Sequence, residues 1–318
     1  MLSVSDSAKK VSILVPTALL PRPLRVRSRE QLLSRLEVAM ARRAGLLIIG
    51  HPKSGNTWLK VMLARLYQVR HGFKASELIG SDELALRNPA IPRLAATNAV
   101  YSYEGAVGRI LAAGAPDDPL RHNPVMLLAR NPIDIAVSWF FQFTKRQSAH
   151  KQELINHFID HPIDRHTVGM WDFVRHSDIG LPFLIDYLNT WECNIGELEN
   201  AAIVRYEDLR SDTAETLKKI TVLMGETFSN EEIAEAVSFG SFDNLRKLET
   251  SGFFRRGGMK LRNANDPETF KVRRGKVGGY GDYFTEDQTA ELEELMMTRL
   301  SPVFGYRPAE PSAEPGKD

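Results

Sequence analysis

Residues 46–58 read Leu46-Leu47-Ile48-Ile49-Gly50-His51-Pro52-Lys53-Ser54-Gly55-Asn56-Thr57-Trp58. The four apolar residues make a run of strand length that stops at Gly50. Beyond Thr57, Leu59, Met62, Leu63 and Leu66 recur at helical spacing as far as Gly72. The order is strand, loop, helix. Two glycines frame the loop, and backbone amides at the opening of a helix can cradle an anion at the positive end of the helix dipole. Loops that bind nucleoside triphosphates end in Gly-Lys-Ser/Thr. Here Asn56 follows Gly55 and the lysine lies inside the loop.

A second unit of the same kind starts with the apolar run Val125–Ala129. Arg130 follows, then Asn131 as N-cap and Pro132 at the first position of a helix that the spacing carries to about residue 145. A third strand over 202–206 precedes a helix bearing Leu217, Ile220 and Met224, which stops at Gly225. Alternating strands and helices predict an α/β fold, a central parallel sheet flanked by helices in three layers, resembling phosphate-loop nucleotide-binding proteins. Ligands of such sheets bind beyond the carboxyl ends of the strands. Ser229 with Glu232, and Thr285 with Gln288, read as capping boxes of two further helices.

The chain has 318 residues, 43% of them hydrophobic, which suffices for a large single domain. Its boundaries are read as an N-terminal extension (1–40), one α/β domain (41–307) and a polar, proline-rich, disordered tail (308–318). A net charge of +1 supplies no global pull toward nucleic acid or anionic membrane, so an anion site must come from local clusters of Lys and Arg. Lys9 and Lys10 precede an apolar run at 11–20, but Pro16 and the lack of a small-residue cleavage pattern argue against a signal sequence. No later run reaches the roughly 18 apolar residues a membrane span needs. The single cysteine, Cys193, excludes an internal disulfide framework and reads as a buried thiol in a cytoplasmic protein. The five histidines between His150 and His176 lack a tight ligand spacing, and no metal site is expected.

Arg130 sharpens the contrast with ATPases, which place an acidic magnesium ligand near the end of a neighbouring strand. An arginine there meets phosphate as a planar fork and repels a metal cation. PKSGNTW at 52–58 and ARNPIDIAVS at 129–138 resemble the first two motifs, close to PKSGTTW and ARNPKDVAVS, of sulfotransferases that use 3′-phosphoadenosine 5′-phosphosulfate (PAPS). Arg205-Tyr206-Glu207-Asp208-Leu209, Ser241-Phe242 and the run from Arg273 to Gly279 resemble three further blocks, in the family's order, over roughly residues 45–285.

The resemblance implies a sulfuryl transfer from PAPS to the hydroxyl, or less readily the amine, of a small-molecule acceptor. Lys53, Ser54, Gly55, Asn56 and Thr57 would hold the 5′-phosphosulfate, with Lys53 neutralising charge on the leaving oxygen. Arg130, Ser138, Arg273, Arg274 and Gly275 would hold the 3′-phosphate, while Trp58, Tyr206, Ser241 and Phe242 would border the adenine. Many members place a proton-accepting histidine near the end of the strand between the two phosphate motifs. The comparable segment here reads Tyr101-Ser102-Tyr103-Glu104-Gly105. Glu104 is the preferred base, with Tyr103 and His51 as alternatives. The stretch 253–260 reads as a lid or a flexible loop. The rival readings are a small-molecule or nucleotide kinase with a divergent phosphate loop, and a catalytically inactive nucleotide-binding homologue.

Overall fold

The computed structural model describes residues 5–75, 82–99, 102–112, 118–254, 259–261, 263, 266–273 and 275–306. Among them, four parallel strands stand in the order β2-β1-β3-β4: β1 (Leu46–Ile49), β2 (Leu94–Thr97), β3 (Val125–Ala129) and β4 (Ala201–Arg205). Register runs from Leu46 opposite Leu94 to Ile49 opposite Thr97, and Leu47 lies opposite Val125. β1 and β3 are fully buried, which is why they read as unbroken apolar runs.

Successive strand residues serve opposite faces. Leu46, Ile48, Met126 and Leu128 pack against Leu59, Met62, Leu63 and Leu66 of α3 (Asn56–His71) and against Leu217 and Ile220. Leu47, Ile49, Val125 and Leu127 pack on the other side against Tyr187, Leu188 and Trp191 of the helix Leu181–Gly196. The result is three layers with both anion-binding turns at one edge of the sheet. Both capping boxes form as read.

Two boundaries and one burial differ from the sequence reading. β4 ends at Arg205, and Tyr206 opens a short helix, Tyr206–Ser211, because Arg205 fixes Asp208 one turn on with an Nε to Oδ2 bond of 2.8 Å. The helix starting at Pro132 ends at Phe141 and passes into a wider turn, Gln142–Arg146. Cys193 is exposed, on the outer face of a helix that buries its neighbours Trp191 and Ile195.

The extension before residue 41 forms two helices, α1 (Asp6–Thr17) and α2 (Arg22–Ala41), that pack onto the sheet domain. Val26 and Leu33 of α2 form a small core with Tyr103 and Leu154. Arg25 and Arg29 grip Glu153, with Arg25 Nε 3.0 Å from Oε2 and Arg29 Nη1 3.4 Å from it. Of the two lysines that preceded the apolar run, Lys9 pairs with Asp6 and Lys10 with Glu37. Among the described residues no helix is long and apolar enough to cross a membrane. The tail 308–318 and residues 255–258 of the 253–260 stretch lie outside the described residues, and Phe254 and Met259 on either side of 255–258 are buried together against Val61 and Leu245.

Candidate active site

The loop after β1 turns on a bond of 3.1 Å from the Ser54 amide to the His51 carbonyl, and Asn56 Nδ2 reaches back 2.9 Å to the Gly50 carbonyl. A Cβ at Gly50 would stand 2.6 Å from Asn56 Oδ1 and 3.2 Å from the Leu128 carbonyl, so a side chain there would displace Asn56 from its bond. Gly55 caps α3 at φ 108, and Lys53 holds φ 82, a left-handed backbone that a side chain makes unfavourable. The loop therefore keeps Lys53 in place at a conformational cost.

Arg130 follows β3 and closes over this loop. Its Nη1 donates to the Lys53 carbonyl at 3.0 Å, its Nη2 lies 3.4 Å from Asp134 Oδ2, and its guanidinium sits over the Tyr206 ring, 4.4 Å from the centroid. Asp134 in turn accepts the Gly278 amide at 3.0 Å. One arginine thus ties the lysine loop to the glycine turn after Arg273. Glu249, fully buried, accepts the amides of Lys271 at 2.6 Å and Val272 at 2.8 Å, which aligns the segment bearing Lys271 and Arg273. Arg273 lies over Phe141, 4.2 Å from its centroid, and bonds Tyr283 Oη.

These groups line one cavity of about 410 Å³, within the range of small-molecule sites. Lys53, Gly55, Asn56, Thr57, Trp58, Arg130, Ser138, Tyr206, Phe242, Arg273 and Gly275 all face it. Trp58 and Tyr206 meet edge to face at 5.6 Å, with the Trp58 indole anchored 2.7 Å from the Gly240 carbonyl. Glycine is required under both ring walls, because a Cβ at Gly55 would stand 2.8 Å from Tyr206 and one at Gly275 2.6 Å from Phe242. Ser54 is buried beneath the loop rather than lining the cavity, and Ser241 is exposed at the cap of the helix Phe242–Thr250. Arg274 lies outside the described residues.

The cavity is strongly cationic. Burial, then Lys271, Arg146, Arg130 and Arg273, push the Lys53 ammonium well below the usual lysine range. Burial and the neighbouring Arg146 and Lys60 bring Lys271 down to about 8. Although Arg130 pairs with Asp134 and Arg146 with Glu249, the cluster keeps more cations than carboxylates around Lys53, a field that attracts an anion.

The three candidate bases separate clearly. His51 is fully buried in an aromatic box, 5.6 Å from the Trp139 ring and 5.7 Å from Tyr187, with Nδ1 2.9 Å from the Pro52 carbonyl. Burial lowers its pKa to about 3, a value at which the ring is neutral and structural. Because that value is below the unfolded value of 6.5, the unfolded chain binds the extra proton first. Stability from His51 is complete above pH 6.5 and is lost as pH falls toward 3, at up to about 1.4 kcal/mol per pH unit. His51→Gln should flatten acid unfolding by about one proton between pH 6 and 4 in urea titrations. An unchanged slope would show that this ring is not buried neutral.

Tyr103 is buried, and burial raises its pKa. Glu104 lines the cavity with both oxygens engaged, Oε1 by Lys151 at 2.9 Å and Oε2 by Asn98 at 2.7 Å. β2 ends at Thr97, and Asn98, the residue just after it, also faces the cavity, so the strand ends well before Tyr101, itself outside the described residues. An amide, not a tyrosine, directly follows the strand, and an amide can donate and accept hydrogen bonds but is no proton acceptor at neutral pH. Sequence reading missed β2 because Leu94-Ala95-Ala96-Thr97 is short and alanine-rich, with little strand propensity. It also missed Glu37 of α2, a buried carboxylate on the same cavity, paired with Lys10 at 3.2 Å and raised by burial.

A parallel sheet with a lysine-bearing phosphate loop after β1 and an arginine after β3 defines a group-transfer enzyme of the phosphate-loop type. The sulfotransferase domain model matches residues 44–303, and the chain belongs to that family, enzymes that draw a sulfuryl group from PAPS. Cytosolic sulfotransferase 14 of Arabidopsis thaliana is 28% identical over 270 residues, covering 79% of this chain and 73% of that protein. The mouse sulfotransferase SULT7A1 complexed with adenosine 3′,5′-bisphosphate (PAP) is similar in structure, with TM-score 0.52 and 18% identity over 80% of this chain and 83% of that one. Retinol dehydratase, solved with androsterone and the inactive cofactor PAP, has TM-score 0.50 and 18% identity, covering 80% of each chain.

Proposed function

We propose that the cavity binds PAPS with its 5′-phosphosulfate on the Lys53 loop and its 3′-phosphate between Arg130, Ser138, Arg273, Arg274 and Gly275, and that the acceptor is a small molecule reacting through a hydroxyl. The observation that carries this reading is the bond from Arg130 to the Lys53 carbonyl, which supports two anion subsites joined in one cavity. Trp58, Tyr206 and Phe242 supply ring walls for an adenine between them. Arg130 stands where phosphate-loop ATPases keep a magnesium ligand, which favours sulfuryl transfer without metal over a kinase reaction.

The acceptor oxygen attacks sulfur, the bond from sulfur to the 5′-phosphate oxygen breaks in line, and PAP leaves. Lys53 neutralises the charge that grows on that oxygen. The hydroxyl proton passes to a cavity carboxylate, Glu104 in this reading. Retinol dehydratase, which was solved with a hydroxysteroid, supports an alcohol acceptor for this fold.

Thermal stabilisation by PAP, compared with AMP and with ATP, tests the donor site. PAP should raise the melting temperature by several degrees more than AMP does, and Arg130→Ala should erase the difference. Equal stabilisation by AMP and PAP would remove the 3′-phosphate pocket from the proposal.

A further inference from the structure

The donor end of the cavity uses Lys53, Arg130 and Arg273. The rest of the lining, which α2, β2 and the helix Ala149–Phe158 help to wall, carries four more lysines, Lys10, Lys60, Lys151 and, on the segment that also bears Arg273, Lys271, with two carboxylates, Glu37 and Glu104. Lys10 is neutralised by Glu37 at 3.2 Å and Lys151 by Glu104 at 2.9 Å. Neither Lys60 Nζ nor Lys271 Nζ has a hydrogen-bond or ion-pair partner among the described residues. The Lys271 backbone is nonetheless fixed by Glu249, and Lys60 projects from the second turn of α3. This part of the lining therefore holds four lysines against two carboxylates.

We infer that the acceptor carries an anionic group, a carboxylate or a phosphate, bound by Lys60 and Lys271 while its hydroxyl lies toward Lys53. Three observations converge. Both lysines line the cavity, and among the described residues neither ammonium makes a hydrogen bond or ion pair, Glu37 acting on Lys60 and Glu249 on Lys271 only from a distance. Lys60 lowers the Lys271 pKa, and Lys271 in turn acts on Lys53 more strongly than any other charge does, so along the cavity lining Lys271 lies within electrostatic reach of both. Holding uncompensated ammonium groups out of water is costly, and an acceptor anion offsets that cost on binding. The remaining wall, Trp139, Leu154 and Ile155 beside Asn98 and Gln147, is suited to a small aryl or alkyl scaffold with polar substituents. This inference rests on the sulfotransferase reading of the same cavity.

The test compares 4-hydroxybenzoate and 4-hydroxyphenyl phosphate with the neutral isostere 4-hydroxybenzamide as sulfuryl acceptors from PAPS. Wild-type protein should favour at least one anion over the amide by about tenfold or more in kcat/KM, and which anion wins distinguishes carboxylate from phosphate. Lys60→Met should reduce that preference to about twofold or less, with the KM for PAPS kept within about twofold. Equal use of the amide by wild type, or a preference that survives Lys60→Met, overturns the inference. The same compounds added to PAP-loaded protein give a second readout, since anions should raise the melting temperature and the amide should not. No preferential shift also overturns it, whereas failure to bind PAP would overturn the donor reading beneath it.

Discussion

Lys53→Ala is expected to cut sulfuryl transfer by about 10²- to 10³-fold or more while the protein folds normally. Removing one preorganised donor to a developing oxyanion typically costs that much. The fold should survive because the Lys53 side chain makes no bond that the structure needs, whereas its carbonyl, which holds Arg130, remains. Deleting the ammonium also relieves repulsion from Lys271, Arg146, Arg130 and Arg273. Single-turnover assays with PAPS, alongside thermal unfolding, check both halves. Substantial residual turnover would take the leaving-group role away from Lys53.

Glu104→Gln should lower the transfer rate by about 10²- to 10⁴-fold, the usual range for loss of a positioned general base, with PAP affinity little changed. The amide preserves the shape that Asn98 and Lys151 enclose but cannot take a proton. The nucleotide end, built on Arg130 and Arg273, lies apart from this substitution. Turnover at the wild-type level in Glu104→Gln would move the search to Glu37, the other carboxylate on the cavity, with Glu37→Gln as the deciding variant. His51 is a poor alternative because its ring is boxed by Trp139 and Tyr187 and burial lowers its pKa to about 3, which leaves it too weakly basic to hold the acceptor's proton.

The parts of the fold that were legible in the sequence are those whose physics is local. β1 and β3 are buried on both faces and therefore appear as contiguous apolar runs, and Asn131 and Pro132 mark a helix start whose N-cap bonds to Ile133 and Asp134 are present. Gly50, Gly55 and Gly275 mark close approaches of chain to chain, visible as glycines within the motif loops. The acceptor end was illegible because tertiary packing assembles it from distant segments. Lys10 and Glu37 come from the helices set aside as an extension, Asn98 from an alanine-rich strand, and Lys151 from a helix hidden in an irregular stretch. No spacing rule links residues 10, 37, 98 and 151. Cys193 failed for a related reason, since one residue type carries no information on which helix face it occupies.

The left-handed backbone at Lys53 also bears on how this enzyme would respond to selection for heat resistance. A residue with a Cβ in that region gives up about 1–2 kcal/mol, which glycine would recover. A screen scored only on survival of the fold would favour Lys53→Gly, and its winners would be sturdier proteins stripped of their chemistry. A screen scored on turnover would keep the lysine and accept the fragility. At this one peptide, durability and catalysis pull in opposite directions, so consensus-style stabilisation of the loop should exempt position 53.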